Sequence, residues 1–271
     1  MSQAVKVPVA DVVFAAFRSV FGRIGLVLEL GWLPLLIMLA ALLLPDLAVR
    51  YLVAGGLASV SADFDVGNLI QETIVALCLS AFALRWYQLM LCADPHALPR
   101  RVFTSALMRF MAYTVGLVIP ITALALAIAY GLPAANNDDL LAPAARTLAA
   151  VAAAAFSLAV ARLSLLFPAA AYGAPLGFGA AWRAMRGNSW RLVGANLMAA
   201  MPILLIHQLL IAILVSAQLL APDQATADSP VGLDLLSGVV VAVLGLVLAA
   251  LGASVLSEFY RRIMRLEIKG A

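Results

Sequence analysis

At 271 residues, 65% hydrophobic and only 11% charged, the chain is far from the roughly 45–50% apolar and about 25% charged composition of soluble domains. The excess of Leu, Ala and Val is too large for one soluble core and points to lipid as the solvent for much of the surface. The formal charge of +3 matters less than where it sits.

In chain order, Asp11 to Arg23 reads as a short basic amphipathic helix, over 10–23, with Val13, Phe14, Phe17, Val20, Phe21 and Ile24 on one face. Aromatic anchors plus arginines suit a helix in the membrane interface. Asp11 and Arg18 also argue against a cleaved signal peptide. A hydrocarbon core about 30 Å thick takes about 20 apolar residues in helical form. Six stretches qualify: Ile24–Leu44, Val66–Leu91, Leu107–Gly131, Ala144–Ala171, Leu192–Leu220 and Leu233–Phe259. Arg100 to Arg109 and Phe178 to Arg191 repeat the interfacial pattern, the latter as a helix over 176–191. Pro45 to Asp65 is apolar enough around Leu47 to Leu57 to lie partly on the membrane surface, whereas Leu132–Pro143 and Ala221–Pro230 read as solvated turns. The expected fold is all-α: one polytopic domain, residues 1–271, with six transmembrane helices.

Orientation follows from Lys and Arg, which are retained on the cytoplasmic side. One set of connections holds Lys6, Arg18, Arg23, Arg85, Arg100, Arg101, Arg109, Arg183, Arg186, Arg191, Arg261, Arg262, Arg265 and Lys269. That is fourteen of the 17 basic residues. The opposite set holds only Arg50 and Arg146, so both termini are expected in the cytoplasm.

The odd-numbered spans share a spacing. Arg23 precedes Pro34, Arg109 precedes Pro120 and Arg191 precedes Pro202, each by eleven residues, which climb about 16 Å and put each proline near mid-membrane. The residues from Ala15 to Gly22 also match those from Ala180 to Gly187. Three two-helix repeats are the expectation, with Pro34, Pro120 and Pro202 as helix breaks.

Ionisable groups inside membrane helices need a partner or a role. Glu29, Arg85, Arg162 and Glu258 fall at one depth and suggest an interhelical ion-pair layer. His207 lies near mid-membrane, where a lone histidine more often donates one hydrogen bond than gates protons. His96 and His207 are too far apart in sequence for a metal site, and Cys78 and Cys92 lack CxxC spacing, so no metal, cofactor or disulfide is expected. HExxH, GxSxG and phosphate-cradling Gly loops do not occur, so no enzyme is expected either.

Arg162-Leu163-Ser164-Leu165-Leu166-Phe167-Pro168, followed by Ala180-Ala181-Trp182-Arg183 and Gly187-Asn188-Ser189-Trp190-Arg191-Leu192, resembles a broad group of uncharacterised bacterial six-helix membrane proteins. These are related to the membrane domain fused to some glycerophosphodiester phosphodiesterases. The resemblance is strongest over 160–205 and implies fold and a bacterial inner-membrane location. The hydrolase half of those fusions needs a His- and carboxylate-rich barrel that this chain lacks, so that activity is not implied.

Two readings of function follow. In the first, a non-enzymatic membrane protein engages anionic lipid, or a partner protein of unknown identity, through an Arg/aromatic collar of Arg18, Arg23, Arg101, Arg109, Arg183, Arg186 and Arg191. In the second, it is a small permease or transporter subunit with a site near the midplane helix breaks. Neither reading has a nucleic-acid partner.

Overall fold

The computed structural model describes residues 6–54, 66–92, 105–117, 142–174, 176–219 and 231–264, and among these every regular element is helical. The helices are α1 (Val9–Phe21), α2 (Ile24–Ala54), α3 (Val66–Leu91), α4 (105–117), α5 (Ala142–Leu163), α6 (Leu166–Tyr172), α7 (Phe178–Ala184), α8 (Ser189–Leu219) and α9 (Val231–Met264). Among the described residues, five segments are long and apolar enough to cross a membrane: Ile24–Leu43, Thr73–Leu91, Ala154–Tyr172, Ser189–Ile213 and Gly238–Met264. The chain is thus an all-helical, multi-pass membrane protein. Of the expected third crossing, α4 describes the first part, and residues 118–131, including Pro120, lie outside the described residues.

Two expectations need correction. Pro34 and Pro202 do not interrupt their helices: α2 and α8 run unbroken through them. A proline fits helical φ and removes only the bond to the carbonyl four residues earlier, which a membrane helix tolerates. α2 also continues past Leu44 to Ala54 as 31 residues, about 46 Å at 1.5 Å per residue, so Pro45–Ala54 extends the helix rather than opening a surface loop.

The break that does form was expected to be helix. The fourth span divides at Ser164–Leu165, between α5 and α6. Pro168 has no N–H to give the Ser164 carbonyl, and Phe167 N–H donates to it instead at 3.1 Å, tightening the turn. The Ser164 hydroxyl donates back to Ala161 O at 2.8 Å, a second local bond that competes with a straight helix. α6 then ends at Gly173, whose φ of 78° takes the left-handed turn that places Ala174 N–H on Ala169 O at 3.1 Å.

The chain divides into two compact units. The first comprises Met1–Ala15, Tyr87–Asn196 and Val255–Ala271, and the second Ala16–Trp86 and Leu197–Ser254. In the second, α2, α3 and α9 meet around Met38, Cys78 and Ala242, with Leu35, Leu39, Leu42, Ile74, Val75 and Leu79 packed against them. Small residues set the approach. A Cβ added at Gly31 would meet Leu246 Cδ1 at 3.0 Å and Phe82 at 3.6 Å, and one at Gly238 would meet Leu43 at 3.6 Å. Tight van der Waals packing of this kind substitutes for the hydrophobic effect, which does little between helices already in lipid.

Candidate functional site

The first unit gathers most of the basic and aromatic residues singled out from the sequence. Its centre is the turn between α7 and α8. Gly187, at φ 84°, supplies the left-handed residue that turns the chain there. The Asn188 carbonyl then accepts Leu192 N–H at 2.9 Å, opening α8. This backbone role leaves the Asn188 side chain available, and its Oδ1 accepts Val7 N–H at 3.2 Å. One turn on, Arg191 Nη1 donates to Val7 O at 2.9 Å. Both backbone groups of Val7, a residue with 0% exposure, are satisfied by side chains at the start of α8, Asn188 just before it and Arg191 in its first turn. Arg191, expected at lipid headgroups, turns inward because a buried carbonyl needs a donor.

Arg162 reaches the same turn from the end of α5. Its Nε donates to Ser189 Oγ at 3.3 Å, and its guanidinium carbon lies 4.5 Å from the centre of the Trp182 ring. Ser189 Oγ donates in turn to Met185 O at 3.2 Å. No carboxylate among the described residues pairs with Arg162. Trp182, Arg183, Arg186 and Trp190, on α7 and either side of the turn, are exposed, Trp190 at 65%.

Glu258 pairs within its own helix, with Arg261 at 2.9 Å and Arg262 at 3.8 Å. Arg261 also donates to Met90 O, tying the end of α9 to the end of α3. Arg262 lies 3.9 Å from Asp11. Of the expected interhelical layer, Glu258 is taken by i+3 and i+4 arginines of its own helix, the nearest positions on a helix surface, and Arg162 by a hydroxyl and an indole. Around these ends Phe110 packs between Tyr87 (5.8 Å) and Phe167 (5.0 Å), and Tyr113 meets Phe178 edge-on at 6.0 Å. Cys92, just past α3, has its thiol pushed up by burial, which leaves it a poor nucleophile.

α1 has two faces, not the single apolar one expected. Val12, Val13, Ala16 and Val20 are buried, whereas Phe14 (76% exposed), Arg18 and Phe21 form an outward stripe at i, i+4 and i+7. Arg23 is exposed beyond it. Arg109 is exposed on α4 and folds back on its own helix through Ser105 at 3.3 and 3.4 Å. Arg101 lies outside the described residues.

In the second unit, Ser254, with 0% exposure, accepts Trp86 Nε1–H at 2.8 Å and lies 3.1 Å from Ser19 Oγ, which is 2.8 Å from Ala16 O. Each hydroxyl has one proton, so the consistent order runs from Trp86 to Ser254, to Ser19, to the Ala16 carbonyl. Glu29 is exposed and has no ion pair among the described residues, and Arg85 is half-buried. Half-buried His207 continues the buried stripe of α8 formed by Ala199 and Ile203.

Sequence reasoning missed Asn188 and Ser254. Asn188 carries a readable signal, an asparagine directly before a long apolar helix. Ser254 carries none, since a lone serine in a span looks like any small packing residue. Among the described residues no His, Cys, Asp or Glu group is arranged to hold a metal. No protein-family model matches the chain, and no curated protein or solved structure matches it.

Proposed function

We propose that this chain is a non-enzymatic integral protein of a bacterial inner membrane, crossing six times with both termini cytoplasmic. We further propose that its Arg/aromatic collar binds anionic lipid. The observation that carries the reading is that each unit presents exposed aromatics beside arginines: Phe14, Arg18 and Phe21 as an outward stripe on α1, and Phe178, Trp182, Arg183 and Arg186 on and after α7. Exposed aromatics beside arginines suit the boundary between acyl chains and headgroups. Each basic residue near an anionic surface contributes about 1 kcal/mol of attraction. The sixth crossing in this reading is the expected Leu107–Gly131 span, of which 118–131 lie outside the described residues. A partner protein docking on the collar, of unknown identity, is the other occupant the charge would suit.

The permease alternative loses support where it was most specific. It needs unwound backbone near Pro34 and Pro202 to line a midplane site, and α2 and α8 are continuous there.

Native mass spectrometry of the protein released from nanodiscs containing phosphatidylglycerol tests the collar. Replacing Arg18, Arg183 and Arg186 together by Gln should strip retained phosphatidylglycerol, by about a hundredfold if three contributions of about 1 kcal/mol add. Unchanged retention would sink the lipid reading.

A further inference from the structure

Arg162, which is not one of the collar residues, differs from them in kind. Arg18, Arg23, Arg183 and Arg186 are exposed and contribute a diffuse field. Arg162 is half-buried, lies within the apolar segment Ala154–Tyr172 and has no carboxylate partner among the described residues. A guanidinium in that setting is costly unless an anion meets it.

The geometry around it fixes which anion. Ser189 occupies Nε and the Trp182 ring covers one face of the guanidinium. Nη1 and Nη2 make no hydrogen bond to the described residues. The two NH2 groups of one planar fork are thereby left as a pair, one N–H of each facing the same edge, held in orientation from the side and from one face. That edge matches two oxygens of a phosphate or carboxylate. The surroundings choose between these. Trp182, which stacks on Arg162, is exposed, as is Trp190, next in sequence to Ser189, and an amphipathic indole suits the headgroup level of a bilayer. The oxyanion that a bilayer delivers to an arginine at that level is the phosphodiester of a phospholipid.

We infer that Arg162, held by Ser189 and Trp182, is the seat for a phospholipid headgroup phosphate, with the exposed arginines of the collar supplying the preference for an anionic lipid. This rests on the lipid-binding reading above. Within it, the exposed arginines attract anionic lipid and Arg162 retains one molecule in a defined pose.

The test uses the full chain in nanodiscs of phosphatidylcholine with a minor fraction of phosphatidylglycerol, counting retained phosphatidylglycerol by native mass spectrometry. Arg162→Gln should lose one retained lipid, its occupancy falling about ten- to a hundredfold, as expected for loss of charge-assisted hydrogen bonds. Arg162→Lys keeps the charge without the fork and should lie between. Trp182→Leu leaves the net charge intact and should also release the lipid. If Arg162→Gln does not fold, Trp182→Leu decides, because its exposed position and the intact Ser189 contact spare the core. Wild-type retention in Arg162→Gln and Trp182→Leu, with loss only in the Arg18, Arg183 and Arg186 triple variant, overturns the seat and leaves the collar standing. Wild-type retention in every variant overturns both. Displacement of the lipid by inorganic phosphate at equal concentration would assign the fork to a free anion and overturn the lipid assignment.

Discussion

Two joints, each leading from a short helix into a long apolar one, reach similar burial patterns with different hydrogen bonds. The stretch from Ala15 to Gly22 joins α1 to α2, and the matching stretch from Ala180 to Gly187 joins α7 to α8. Aligned on their glycines, both bury the alanine (Ala16, Ala181), the central apolar residue (Val20, Met185) and the first inward residue of the long helix (Val27, Leu192). Both expose the arginine (Arg18, Arg183). They part at the turn. α1 runs to Phe21, and Gly22 N–H bonds Arg18 O at 2.9 Å in one tight turn. α7 stops at Ala184 and a four-residue turn follows, closed by Gly187 at positive φ. The longer turn buries Asn188 and Ser189, which hold Val7 and Arg162; the positions matching them, Arg23 and Ile24, are exposed. A buried stripe can be kept while the turn beside it acquires partners.

The comparison is broken most readily at the central apolar pair. Met185→Ala should cost about 2–5 kcal/mol, and Val20→Ala about 1.5 kcal/mol, at about 0.8 kcal/mol per carbon removed. Denaturant unfolding in one detergent would rank them, and a Met185 variant as stable as wild type would mean that α7 is not packed as described. Next comes the turn itself. Asn188→Ala leaves Val7 N–H buried without its acceptor and should cost about 1–3 kcal/mol, with faster hydrogen exchange at the Val7 amide. Arg23→Ala, at the matching position, should stay within about 0.5 kcal/mol.

The parts legible in the sequence were those that single residues decide. Hydropathy is summed residue by residue, so α8 (Ser189–Leu219) and α9 (Val231–Met264) begin and end close to the expected 192–220 and 233–259. α1 likewise falls within about two residues of the expected 10–23. The parts not legible depend on pairs. Whether Phe14 or Val13 faces inward depends on what α1 packs against, and both carry the same hydropathic message. Glu258 had arginines at i+3 and i+4 and others at similar depth, and depth alone does not choose between them. Pro168 was visible, yet the apolar run around it reads as helix, and only the local bonds of Ser164 and Phe167 turn it into a break.

The two aligned glycines are constrained for different reasons. At Gly187 the φ of 84° is the constraint, and Gly187→Ala should cost about 1–2 kcal/mol for holding an L residue in the left-handed region. At Gly22 the constraint is contact: an added Cβ would lie 2.5 Å from Arg18 O. Gly22→Ala should be relieved by opening that turn. Its signature is faster amide exchange at position 22 with a smaller change in unfolding midpoint.

The smallest effects on stability belong to the arginines, and there the two regions separate by readout. Arg191 is half-buried and donates to Val7 O, so Arg191→Gln should cost about 1 kcal/mol of folding stability and change lipid retention little. Arg18 is exposed between Phe14 and Phe21, so Arg18→Gln should stay within about 0.5 kcal/mol in unfolding. Its phosphatidylglycerol affinity should fall about fivefold, the equivalent of about 1 kcal/mol at the surface. Measuring unfolding and lipid retention on the same two variants gives a crossed pattern if one joint holds the N-terminal segment and the other meets the membrane. Equal lipid loss from both would return Arg191 to the headgroup collar and make its bond to Val7 incidental. A stability loss from Arg18→Gln as large as that from Arg191→Gln would mean that the stripe on α1 is covered by protein rather than lipid.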